Sequence, residues 1–265
     1  MTKIEWTDET WNPVTGCTKV SQGCKNCYAE RTATRLAGRV GYPPAPHQFD
    51  VTLHHDRLNI PLRWRKPRRI FVNSMSDLFH PNVPCGFIDA VLEVIAACPQ
   101  HTFQVLTKRP ELIEEKLYRF CKENPARELG GGDYLPNLQI GVSVENQETA
   151  NERIPWLLKT LAAVRFVSYE PALGPVDFFK ANGNVSGVNA APKFSWIANT
   201  GIDWVIAGCE SGLGARPAQD DWFRSVRDQC LSANVPFFLK QMQGFNGAIV
   251  KMPELDGQVW AQYPT

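Results

Sequence analysis

The stretch from Gly16 to Glu30, GCTKVSQGCKNCYAE, carries Cys17, Cys24 and Cys27, with six residues and then two between successive thiols. Thiols at such spacing serve as halves of disulfides, as ligands of zinc or of an iron–sulfur cluster, or as small core residues. The chain has 265 residues, 43% of them hydrophobic and 21% charged, so it is large enough to fold without disulfides. Its beginning, MTKIEWTDETWNP, has no apolar run of the signal-peptide kind, and no segment approaches the roughly 18 consecutive apolar residues of a membrane span. The expectation is therefore a cytoplasmic protein with no membrane partner, in a compartment where disulfides are rare. Cys85, Cys98, Cys121, Cys209 and Cys230 lie far apart in apolar or helical surroundings and read as buried thiols. A structural zinc site closes with four protein ligands, whereas this loop offers three thiols and no histidine. Three thiolates leave one position open. That suits a cubane cluster with one free iron, and it suits equally a catalytic zinc that holds a water.

The elements that must position this loop follow from periodicity. Short apolar runs at 69–73, 102–106, 138–143, 164–168, 204–208 and 236–240 read as strands, with a seventh over Trp11 to Thr15. Between them lie helical patterns over Lys25 to Leu36, Phe87 to Ala97, Pro110 to Cys121, Asn146 to Leu161 and Asp220 to Leu231. Phe87, Val91 and Ile95 share one face of the second, and Trp222, Val226 and Cys230 one face of the last; Pro155 is expected to break or restart the fourth. Nearly continuous apolar strands alternating with helices predict an α/β protein: a complete or partial (β/α) barrel of six or seven parallel strands, in one domain over 1–265. Loops near 123–136 and 180–201, rich in Gly or in Gly, Asn and Ala, read as insertions.

In such an architecture the chemistry sits at the C-terminal strand ends. There the sequence places Asn73, Ser74, Ser76 and Asp77, then Lys108, then Ser143, Glu145 and Asn146, then Glu170, then Glu210 and Arg216, and finally Lys240 and Gln241. Any one of these serves equally well as a helix cap or an ion-pair partner, as Ser76, Asp77, Asn146 and Asp220 would. Their convergence on six strand ends, beside a loop that follows the first strand, favours a site. Lys108, Glu170, Glu210, Arg216, Lys240 and Gln241 are expected to share its substrate side, a mixed-charge cavity suited to an anionic, hydrogen-bonding substrate, with Arg216 as a bidentate phosphate clamp.

Net charge is +1, so no global field draws nucleic acid. Six basic residues do crowd the segment from Arg57 to Arg69, around Trp64. A solvated face leading into the next strand is the favoured reading, with phosphate binding and base stacking on Trp64 as the other.

The segments TKIEWTDETWNPVTGC, FVNSMSDLFH, QVLTKRPE, GCESG, ARP and PFFLKQ, in this order over nearly the whole chain, resemble the phage-associated three-cysteine-motif family of the DUF5131 type. That family is in turn similar to radical S-adenosylmethionine (SAM) enzymes of the spore photoproduct lyase-like branch. The resemblance implies a barrel of the radical SAM type and a 4Fe-4S cluster on Cys17, Cys24 and Cys27 whose open iron takes SAM. It further implies Tyr28 as an aromatic cover, Asn73, Ser74, Ser76 and Asp77 near the SAM amino group, and Ser143 and Glu145 near the ribose. An electron donor and a nucleotide or nucleic acid base as substrate complete the expectation. The radical SAM pattern has a shorter first spacing and an aromatic residue before the last cysteine, where this chain has Asn26. Two other classes stand beside it. One is a zinc-dependent hydrolase or transferase with Glu170 or Glu210 as general base. The other is a non-catalytic nucleic-acid-binding protein whose metal only fixes the loop.

Overall fold

The computed structural model describes residues 4–113, 115–117, 120, 135–181, 201–244 and 246–264. Cys121, the end of the helix expected from Pro110, and most of both expected insertions lie outside these residues. The fold is mixed α/β with mostly parallel sheet. Two compact units divide the chain: Met1–Ile140 with Leu161–Ala163, and Gly141–Thr160 with Val164–Thr265.

In the first unit the strands are β1 (Glu9–Trp11), β2 (Val14–Thr15), β3 (Thr52–Leu53), β4 (Arg69–Val72) and β5 (Thr102–Thr107). The helices are α1 (Tyr28–Arg35) and α2 (Cys85–Ala96). β4 pairs in parallel with β1 on one side (Trp11 opposite Val72) and β5 on the other (Val72 opposite Val105). The run expected as one strand from Trp11 to Thr15 is two strands. Pro13 interrupts it, and β2 turns away to pair antiparallel with β3. Buried Phe87, Ile88, Val91, Leu92, Val94 and Ile95 form a broad apolar face on α2, wider than the three expected positions. Trp11, Ile70, Phe103 and Val105 are also buried in this unit. α1 starts at Tyr28 rather than Lys25, because Gln22–Cys24 forms a 3-10 turn and Cys27 is an extended N-cap.

β6 (Leu138–Val144) leads into the second unit, which holds α3 (Gln147–Lys159), β7 (Val164–Tyr169), β8 (Trp204–Gly208), α4 (Asp220–Ser232) and β9 (Phe237–Gln243). β8 lies parallel between β7 and β9, and all five of its residues are buried, as a central parallel strand requires. Three further short strands follow, unforeseen in the sequence: β10 (Ile249–Lys251), antiparallel to β9, and the hairpin of β11 (Glu254–Leu255) with β12 (Gln258–Val259). α3 begins with a reciprocal cap: the Asn146 side chain accepts from the Thr149 amide, and the Thr149 hydroxyl accepts from the Asn146 amide. The helix runs through Pro155 without a break, contrary to expectation. The lost amide bond would have gone to Asn151, which is exposed, so water can satisfy its carbonyl. On α4 the buried stripe is Phe223, Val226 and Cys230; Trp222 is only half-buried.

Candidate functional site

The cysteine loop leaves the end of β2 in the first unit. Gly16 takes a left-handed backbone, φ +83°, and a Cβ there would overlap the Asp50 carbonyl. Its amide donates to the Met75 carbonyl (3.1 Å), and the next amide, that of Cys17, donates to the Phe49 carbonyl (3.1 Å). Cys17 is thus set by two successive backbone bonds, that of Gly16 and its own. Cys24 closes the 3-10 turn through its amide and the Ser21 carbonyl (3.0 Å), and the Cys27 carbonyl receives the Arg31 amide as α1 begins (3.2 Å). Lys19 bridges the loop to α1 by an ion pair with Glu30 (2.9 Å).

Beneath the loop lies a buried polar core built from the ends of β4 and β5. Asp77 accepts from the Thr107 hydroxyl (2.7 Å), the Phe79 and Lys108 amides (3.0 and 3.1 Å) and Arg109 Nη1 (3.1 Å). Its carboxylate is therefore spent on holding strand ends together. Arg109, 6% exposed in its side chain, reaches the other way: Nη1 donates to the Cys17 sulfur at 3.6 Å, and Nη2 donates to the Thr18 carbonyl and hydroxyl, both at 2.9 Å. Asn82 donates its amide to His80 Nδ1, so a neutral ring carries its proton on Nε2 and donates it to the Thr18 hydroxyl (2.9 Å). Burial, then the Arg109 charge, lowers the His80 pKa and favours that neutral form. Burial pushes the Cys17 thiol up to about 11; Asp77 adds to the shift and Arg109 opposes it.

The remaining residues expected around SAM in this unit are also engaged. Ser76 donates to the Val14 carbonyl (2.8 Å), Ser74 to the Asn12 side-chain oxygen (3.2 Å), and the Tyr28 hydroxyl to the Ser74 carbonyl. Asn73 is left-handed, φ +59°, and 2% exposed. Its Oδ1 accepts from the Val14 amide, while its Nδ2 is buried with no hydrogen-bond acceptor. Lys108 stands in this unit, with its amide on Asp77.

In the second unit the expected strand-end residues fall into ion pairs. Glu145 is gripped by Arg153 Nη1, which also donates to the Ser143 carbonyl (2.8 Å). Glu210 accepts a fork from Arg216: Nε to Oε2 at 2.9 Å and Nη2 to Oε1 at 2.5 Å, with the Arg216 amide also on Oε2. Arg216, expected as a phosphate clamp, is thus committed to a carboxylate six residues away. Glu170 Oε1 accepts from Lys240 Nζ (2.6 Å) and Gln241 Nε2 (3.3 Å).

Adjacent residues of a regular strand point to opposite faces, so Lys240 and Gln241 should not meet one carboxylate. A bulge makes it possible: Ala207 faces Leu239 but Gly208 faces Gln241, which leaves Lys240 as the extra residue. Gly208 gives the space, since a Cβ there would press on Gln241 and Glu170, each at 3.3 Å. Buried Cys209 lies within the electrostatic reach of Glu170, Lys240 and Glu210, and burial, with Glu170 next, pushes its thiol up to about 12. Five of the six residues expected on the substrate side therefore belong to this unit, and Lys108 belongs to the other.

Arg109 belongs to the polar strand-end run Thr107-Lys108-Arg109 that the sequence shows, but it carried no expected role, and Arg153 was not singled out. For Arg109 the signal was a cation at a strand end; Arg153, in the middle of α3, carried none. In the basic segment, Arg57 is turned onto backbone carbonyls, Arg68 pairs with Glu9 and covers Trp64 at 5.1 Å, and Arg69 pairs with Asp8. Arg63, Arg65 and Lys66 are exposed. Three of the six basic residues are thus exposed, and the other three are engaged within the protein.

Among the described residues, no three or more His, Cys, Asp or Glu side chains converge as a ready metal cage. The donor set fits a cluster in kind: three free, half-buried thiols on one loop, Cys17 near enough to Cys24 to feel its charge, and an N–H directed at the Cys17 sulfur. These strand ends belong to a mostly parallel α/β protein with two polar sites, one thiol-rich and one ionic. A family model described as a protein of unknown function (DUF5131) matches residues 1–264, and the chain belongs to that family. No curated protein and no solved structure matches it. No helix among the described residues is long and apolar enough to cross a membrane.

Proposed function

We propose that the chain is an iron–sulfur enzyme of the radical SAM type, with a barrel of that type, acting on a nucleotide or nucleic acid base. The observation that carries this reading is the thiol loop, which bears three free cysteines and is fixed at Cys17 by backbone bonds and by Arg109. Cys17, Cys24 and Cys27 would hold a 4Fe-4S cluster. When bound, the cluster supplies one electron, delivered by an external donor, to SAM. The protein's own part is to seat the loop and to offer hydrogen bonds at the strand ends. In the first unit Asn73 Nδ2 is a buried donor in want of an acceptor, and the Ser74 and Ser76 hydroxyls retain acceptor capacity beside it in sequence. Asp77 acts through the scaffold, because its oxygens are occupied.

On the substrate side, Glu210 and Arg216 are taken up with each other through both carboxylate oxygens, so recognition falls to Glu170, Lys240 and Gln241. Among the described residues Lys240 Nζ donates to one acceptor and Glu170 Oε2 has none of its hydrogen bonds made, which leaves donors and an acceptor for a polar base edge. The test is anaerobic reconstitution with metal and sulfide analysis, followed by calorimetry with SAM. The expected result is about four irons and four sulfides per chain and SAM binding that weakens in Asn73→Ala. One stoichiometric zinc without iron, or no binding at millimolar SAM, overturns the reading.

A further inference from the structure

We infer that Arg109 is a positioning residue for the thiol loop, its N–H···S bond to Cys17 seating that sulfur and setting the reduction potential of the cluster proposed above; the inference rests on that reading. Three observations converge on it. Nη1 stands 3.6 Å from the Cys17 sulfur. Nη2 binds both the carbonyl and the hydroxyl of Thr18, so the guanidinium grips the residue next to the ligand as well as the ligand itself. The cation is held from behind by Asp77, with side chains only 6% and 7% exposed, and Asp77 is anchored in turn to the ends of β4 and β5.

The chemistry follows from the charge of a reduced cluster. Adding an electron increases negative charge on the sulfurs, and a donor aimed at one of them stabilises the reduced state, which raises the potential. Asp77 at 3.1 Å neutralises most of the cation's far field. What Arg109 gives Cys17 is thus a directed N–H from a buried guanidinium. A lysine is a poorer substitute, because one ammonium cannot hold Asp77, Thr18 and the sulfur in one plane.

The discriminating variant is Arg109→Met/Asp77→Asn, which removes the N–H without changing net charge and leaves no buried ion unpaired. Wild type, this double variant and Lys25→Ala, which deletes an exposed cation of the same loop, are reconstituted anaerobically and titrated electrochemically with electron paramagnetic resonance detection. The double variant's midpoint is expected to move to a more negative potential, and Lys25→Ala to stay at the wild-type value. Loss of iron from a folded double variant supports the seating role equally. A fully loaded double variant with an unmoved midpoint overturns the inference, as does an equal shift in Lys25→Ala. Wild type that takes up no iron overturns the reading and the inference together, so the two failures are distinct. Should circular dichroism show the double variant unfolded, Arg109→Lys carries the measurement, with a smaller negative shift expected and an unmoved midpoint again decisive against the role.

Discussion

Glu145 and Arg153 form an ion pair, 3.0 Å between Nη1 and Oε2, with side chains only 1% and 2% exposed. The pair ties the end of β6 to the middle of α3. Arg153→Met would leave a carboxylate buried without its partner, and the expected loss is roughly 3 to 5 kcal/mol in urea denaturation. Glu145→Gln/Arg153→Met should recover most of that loss, since no charge is then stranded. Equal losses in single and double variants would assign the effect to packing.

Gly16 offers a test of the loop's seat. Gly16→Ala forces a Cβ into the Asp50 carbonyl and a left-handed backbone on alanine; the backbone strain alone costs about 1 to 3 kcal/mol, and the overlap adds to it. The expected outcome is a lower melting temperature together with reduced iron uptake. Normal uptake at reduced stability would show that the loop tolerates a shifted Cys17.

The cysteines should divide into two classes. Cys17→Ala, Cys24→Ala and Cys27→Ala are each expected to abolish stoichiometric iron binding. Cys230→Ala, within the core of the second unit, should retain iron and cost only about 1 kcal/mol for the small cavity. Iron lost from Cys230→Ala but retained in Cys27→Ala would reverse the assignment.

Alkaline pH should destabilise the fold. Burial raises the Cys209 thiol from its ordinary value of 9.0 to about 12, and it raises Cys230 and Tyr169 as well. Below pH 9 the Cys209 thiol is protonated in both folded and unfolded chains, and its contribution to stability is complete. Between 9 and about 12 the unfolded chain sheds a proton that the native state keeps, so stability falls with rising pH. Denaturation midpoints should be level from pH 7 to 9 and decline above it, less steeply in Cys209→Ala. A level profile to pH 11 would contradict the buried placement of these groups.

The apolar strands were legible because burial on both faces writes itself into composition. Trp204 to Gly208 needed no correction, and the starts of β4, β5, β6 and β7 were placed to the residue. Local chemistry blurred the rest. Pro13 split one expected strand into two with different partners, and the N-cap geometry of Cys27 moved the start of α1. The positions of candidate residues on strand ends could be read, but their partners could not. Whether Arg216 clamps a ligand or Glu210, and whether Asp77 faces a cofactor or Arg109, depends on side-chain geometry that a linear pattern does not encode.

The bulge at Lys240 acts on β9 as an inserted letter acts on a reading frame. Up to Leu239 the strand is buried throughout; past the bulge Gln241 and Met242 are buried and Gln243 is half-exposed, and it is this shifted phase that β10 pairs with, Lys251 facing Gln241. Deleting Lys240 would restore a regular ladder and remove Glu170's cation. Gln241 would stay opposite Gly208; it is drawing Lys240 into the ladder instead that would turn every later side chain to the other face, exchanging inside for outside as far as β10. The C-terminal edge of the sheet therefore owes its phase to the bulge at the same residue that supplies the site with its lysine.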